Sequence, residues 1–146
     1  MIGGGCKCNF KNWITTSLVV AVLYFGMDMF FTHVCLMKLY QTNAQYFRTQ
    51  EQMMAMRNWG YAAYIVFGLL FTCIYGSGYE EGKSKALQGF RYGLTIGLFY
   101  WGAGLLGMYP YFPWPNQLYL GWFGVGLTEF IVLGVAAGVL FKPKQS

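Results

Sequence analysis

The chain has 146 residues, of which 56% are hydrophobic, 21% aromatic and 10% charged. Soluble domains carry about 25% charged residues, so this composition cannot cover a water-soluble surface and points to an integral membrane protein of a single domain. The formal net charge of +5 is spread over short flanks rather than gathered in one patch. That excludes a nucleic-acid surface and reads as topology signals and contacts to the lipid bilayer.

The amino-terminal segment holds a C-x-C pair, Cys6 and Cys8, between Lys7 and Lys11. Two thiolates alone are an incomplete soft-metal site. The apolar stretch after Lys11 is too long for the core of a secretory signal, and no apolar segment precedes "IGGGC" as a lipoprotein signal requires.

Four spanning helices are predicted, at about 13–37, 58–76, 89–108 and 118–141, each near the roughly 20 residues needed to cross a bilayer core. The expected fold is therefore all-α, an integral membrane four-helix bundle with both termini on one side. Within the first span lies "MDMFFTHVCLM". Met29, His33 and Met37 recur there at i, i+4 and i+8 and form one stripe on a regular helix. Methionine with histidine suits copper or haem iron, yet methionine at this spacing is also ordinary core filler.

Between the first two spans runs "KLYQTNAQYFRTQEQMMAMR", free of proline and glycine. Tyr46, Phe47, Met53, Met54 and Met56 suit a short amphipathic segment lying in the membrane interface. Between the second and third spans, "EEGKSK" lacks the spacing of a phosphate-binding loop and follows no strand, so it reads as a solvated turn. The last connection, "YPYFPWPN", sets three prolines among four aromatic residues; proline prevents helix and the rings suit the headgroup layer. Lys7, Lys11, Lys83, Lys85, Arg91, Lys142 and Lys144 fall on one side of this topology and Lys38, Arg48 and Arg57 on the other. The excess places both termini in the cytoplasm. Cys35 is then alone on the outer side, so the paired outer cysteines of a quinone-linked thiol oxidase are missing.

Gly89, Gly93 and Gly97 share one helix face, and Gly134 and Gly138 repeat the spacing in the last helix. Small residues at this interval let two backbones approach closely where lipid supplies no hydrophobic drive for association. The strongest anomaly is a pair of acids. Counted from the outer helix ends at 1.5 Å per residue, Asp28 and Glu129 lie at depths of roughly 14 and 16 Å, on helices adjacent in an up-down bundle. An ionised carboxylate there costs about 3 kcal/mol on insertion scales, so each acid should be protonated, paired, or facing a partner or a wet cavity. Thr32, Tyr24, Thr128 and Tyr100 are expected partners, and with His33 and Arg91 the acids make up a candidate intramembrane polar cluster.

The stretches "GYEEGKSKALQGFRYGLTIGL" and "GWFGVGLTEFIVLGVAAGVLFKP" resemble a loose group of small uncharacterised bacterial inner-membrane proteins with four predicted spans, which share an acid and a histidine in the first helix, Arg91 and Glu129. The resemblance implies this topology and the bacterial inner membrane, and it carries no activity to transfer. No catalytic triad, metalloprotease motif or nucleotide fingerprint is present, and the pattern implies no particular cofactor. Three functions are expected in order. The first is a non-catalytic accessory subunit of a larger membrane complex, respiratory or otherwise energy-converting, partnered by other membrane subunits or by itself. The second is a small oligomeric proton or cation carrier using Asp28 and Glu129, and the third a metal or haem binder at Met29, His33 and Met37.

Overall fold

The structure is a computed structural model that describes residues 9–142; Cys6, Lys7, Cys8 and Lys144 lie outside this range. Every regular element among the described residues is helical. Helix α1 (Phe10–Phe31) runs through a π-helical stretch (Thr32–Leu36) into α2 (Met37–Thr42). A short turn leads to α3 (Gln50–Ala55) and then α4 (Arg57–Ser77). A solvated turn leads to α5 (Lys85–Gly97), which passes through a second π stretch (Leu98–Ala103) into α6 (Gly104–Met108). The proline-rich segment precedes α7 (Asn116–Leu140).

Three runs are long and apolar enough to cross a membrane: Phe10–Thr42, Arg57–Ser77 and Asn116–Leu140. The fourth run, Lys85 to Met108, is not among them; Lys85, Gln88 and Arg91 lie in its first two turns and the π stretch interrupts it. The helix limits differ from expectation mainly in the first run. It starts at Phe10, where the Asn9 side chain accepts from the Lys11 backbone N–H at 3.2 Å, and it absorbs residues 38–42 of the expected loop, since nothing in "KLYQT" stops a helix. At 33 residues it measures about 50 Å, well beyond a bilayer core of about 30 Å. The short helix expected in the methionine-rich loop is α3. A capping box starts it, with the Thr49 hydroxyl accepting from Gln52 N–H and the Gln52 side chain accepting from Thr49 N–H at 3.2 Å.

The closest packing joins α5 to α7; α1 packs on α4 and, less extensively, on α7. Glycine sets the α5–α7 distance. A Cβ added at Gly93 would stand 2.9 Å from the Ile131 Cα and closer still to the Phe130 carbonyl, and one at Gly134 would stand 2.7 Å from the Gly93 Cα. Gly89 meets Gly134 and Val135, Gly97 meets Leu127 and Phe130, and Gly138 meets the Lys85 carbonyl and Gly89. The structure thus lays Gly89 and Gly93 directly on the α7 backbone and Gly97 on the Leu127 and Phe130 side chains, the close approach that small residues allow in lipid. Gly68 does the same for α4, seated on Ser17 and Ala21 of α1.

Around this contact lies an aromatic core. Phe130 and Phe141 are fully buried, with Phe71 and Tyr75 nearly so. Phe67 stacks on Phe71 at 5.0 Å between ring centroids, Tyr92 meets Phe71 edge-on at 4.7 Å, and the Tyr92 hydroxyl donates to the Phe71 carbonyl at 2.6 Å. Such ring pairs add about 1 kcal/mol each beyond their burial. The two ends of the described chain also meet, where the Lys142 backbone N–H donates to the Asn12 side chain at 2.7 Å.

Gly93→Val should lower the stability of the protein by about 3 kcal/mol or prevent folding, because a backbone rather than a flexible side chain stands in the way. Gly60→Ala, on an open face of α4, should be neutral or stabilise by up to about 1 kcal/mol through helix propensity. Equilibrium unfolding in a fixed detergent compares the two, and equal effects would refute the close-contact account.

Candidate functional site

The site is built where the glycine contact ends. On the α5 face that carries Gly89, Gly93 and Gly97, the next position at the same interval is Trp101. Its indole lies flat over Gly126 of α7, at a place where a Cβ would collide with the indole ring atoms. An indole in place of a hydrogen stands as a wedge between the two helices at this level. Gly126 is the counterpart that makes room for it.

Beyond the wedge is a cavity of about 270 Å³. Asp28 and Glu129 both line it, together with Trp101, Tyr40, Trp114 and Trp122. It extends from the acids toward the end of the structure that carries Tyr40 and the proline-rich segment. Asp28 and Tyr40 are twelve residues apart on one helical run, which is about 18 Å along the axis. The aromatic wall is fixed in place: the Trp122 ring N–H donates to the Tyr40 hydroxyl at 2.9 Å, and Trp114 stands edge-on to Trp122 at 5.0 Å. Phe112 stacks behind Trp114 at 4.5 Å.

The two acids differ in their surroundings. Asp28 is half-buried and accepts a hydrogen bond from the Tyr64 hydroxyl of α4. Glu129 is only 1% exposed, and its Oε1 has no hydrogen-bond partner. The Trp101 ring N–H, also buried at this cavity, has none either. An unpaired buried polar atom costs about 1–3 kcal/mol, so a wall holding one orphaned acceptor and one orphaned donor is not explained by packing.

The remaining candidates lie elsewhere. Arg91 is exposed and lines a different cavity with Glu80, Lys83 and Gln88, toward the turn between α4 and α5. His33 is exposed on the π stretch, and neither it, Met29 nor Met37 lines the acidic cavity. The π stretch Thr32–Leu36 lies across the expected stripe, and its wider turn departs from the regular spacing that the stripe assumes. No group of three or more His, Cys, Asp or Glu side chains able to hold a metal is found among the described residues. Among the acids' expected partners, Thr128 bonds elsewhere and the rings of Tyr100 and Tyr24 pack into the aromatic core. Thr128 donates to the Gly124 carbonyl at 2.8 Å, Tyr100 stacks on Phe130 at 5.4 Å, and Tyr24 packs among Tyr64, Phe67 and Phe130. Tyr64, Trp101 and Tyr40 are the site residues that sequence reasoning missed. The one available signal was that Trp101 continues the four-residue glycine interval.

No family model matches this chain, and neither a curated protein nor a solved structure matches it. The geometry of the cavity therefore carries the functional argument.

Tyr64→Phe removes the hydroxyl that holds Asp28 and should cost about 1 kcal/mol, the size of a typical intramolecular hydrogen bond. Tyr61→Phe, on the exposed side of the same helix, should change stability by less than about 0.5 kcal/mol. Parallel denaturation of the two variants measures the difference.

Proposed function

We propose that this chain is a small multi-pass membrane protein that takes up a proton or a cation between Asp28 and Glu129, acting as a carrier or channel. The observation that carries the reading is the Glu129 Oε1 atom, buried without a partner on the wall of a cavity that Asp28 shares. Hydrocarbon tolerates a carboxyl only when it keeps its proton or sits beside a cation. A site with two acids and no basic side chain on its wall is therefore occupied by protons or by an incoming positive charge.

In this reading the run from Lys85 to Met108 spans the bilayer as the fourth helix. Its weak apolar character is offset by burial of its glycine face on α7. Lys11, Lys83, Lys85 and Lys142 gather at one end of the helices and Lys38, Arg48 and Arg57 at the other. This supports both termini in the cytoplasm of a bacterial inner membrane. Helix α3, with Met53 and Met54 exposed, lies in the outer interface.

A second reading, an accessory subunit of a larger membrane complex, is favoured by a different observation. Gly26, Gly104, Gly107 and Gly124 have nothing within 4 Å of where a Cβ would be. Small residues open to the lipid on three helices are places where another helix can approach closely.

Asp28→Asn and Glu129→Gln should each reduce proton or cation flux in reconstituted liposomes by at least about tenfold, the scale set by losing an essential ionisable group. Arg91→Gln should leave the flux intact. An unchanged flux in both acid variants would rule out the carrier. In that case, native mass spectrometry of the protein gently extracted from its own membrane should show it bound to other subunits.

A further inference from the structure

The lining of the acidic cavity is wrong for an inorganic ion. Calcium and magnesium ask for six or more oxygens in a shell, and transition metals for nitrogen or sulfur ligands at fixed geometry. This wall offers two carboxyl groups and the Tyr40 hydroxyl, and the Tyr40 hydroxyl already accepts from Trp122. The rest of the wall is apolar and aromatic: Trp101, Trp114 and Trp122 with Leu36, Leu105 and Met108. Three of the five tryptophans in the sequence are thus brought to one cavity. Indole is the best ring partner for a cation, and rings around an alkylated ammonium are the usual way proteins hold one. The volume of about 270 Å³ lies just below the range of about 300–1,000 Å³ for drug-sized ligands, which suits a smaller guest.

On the reading that Asp28 and Glu129 form a cation site, we infer that the cavity binds a small organic cation, an alkylated ammonium with an apolar body. The ammonium head sits against Glu129 Oε1 and Asp28, and its methyl or methylene groups fill the space between Trp101, Trp114 and Trp122. An oxygen on the same molecule, placed toward the buried Trp101 N–H, accepts from the one donor left without a partner at this wall. Charge balance links binding to protons. When the guest brings one positive charge next to the acids, one carboxyl gives up its proton, which leaves through the open end of the cavity. Uptake of one cation thus releases one proton, and nothing is oxidised or reduced.

The first experiment uses wild-type protein in lipid nanodiscs and two probes of nearly equal shape, choline and its neutral isostere 3,3-dimethylbutan-1-ol. Calorimetry and tryptophan fluorescence should show saturable choline binding at least about tenfold tighter than the isostere, the size expected for a cation held by rings and a carboxyl. Binding should release close to one proton per site to a weakly buffered indicator. Glu129→Gln should abolish the proton release, and Trp114→Leu should weaken choline binding. Equal affinity for both probes, or no binding of either, overturns the inference. If choline fails while sodium, potassium or proton flux still depends on Asp28 and Glu129, the organic guest is wrong and the carrier reading stands. If flux too is absent, both are wrong.

Discussion

The direct contact of two backbones, α5 against α7, sets the rest of the structure. Inside a hydrocarbon solvent, apolar side chains gain nothing by leaving lipid for protein, so association rests on packing and polar contacts. Gly89 and Gly93 lie on the α7 backbone at Gly134 and Phe130 with no side chain between, and Gly97 rests on the Leu127 and Phe130 side chains. The fourth helical run, with Lys85, Gln88 and Arg91 near its start, is the least suited to lipid by composition and the most dependent on this contact. Where the glycine interval reaches Trp101, an indole stands between the helices in place of bare backbone, and the acidic cavity lies beside it.

The polar groups inside the structure follow a division of labour. Asp28 is held by the Tyr64 hydroxyl, so its position is fixed from α4. Glu129 sits on the central helix beside Phe130, which is fully buried and touches Tyr24, Phe67, Phe71, Tyr100 and Trp101. The ring cluster fixes the backbone that carries Glu129 while leaving one carboxyl oxygen without a partner. A protein that gained only stability from these residues would do better with an apolar side chain at 129. Rigid surroundings around an unsatisfied acid are what a binding site requires.

Much of this was legible in the sequence, and the rest was hidden for identifiable reasons. The glycine faces were visible because a four-residue interval maps directly onto one side of a helix. The common depth of Asp28 and Glu129 was visible because axial rise is constant along a helix, and the structure places both acids at one cavity. What counting along the chain cannot give is the rotation of one helix against another. Tyr64, Trp101 and Tyr40 come from three different helical runs, and each enters the site by facing, not by depth. The two π stretches compound this, since Thr32–Leu36 and Leu98–Ala103 shift the register of every residue that follows. The first stretch alters the spacing on which the stripe of Met29, His33 and Met37 rests, and Arg91 misses the acidic cavity because it faces outward. The capping box at Thr49 and Gln52 was readable from the sequence but lay in a segment whose methionines drew the reading toward the membrane surface.

The hydrogen bond from Tyr64 to Asp28 also bears on the order in which the chain is made. α7 leaves the ribosome after α1, α4 and α5, and it supplies Glu129 and half of the glycine contact. On α1, Asp28 would enter the bilayer long before that, as a lone acid in hydrocarbon. Tyr64 arrives with the very next long helix, so α1 and α4 can form a hairpin in which the acid already has a donor and Gly68 already rests on Ser17 and Ala21. In such a hairpin Asp28 would be sheltered before α7 closes the cavity around it.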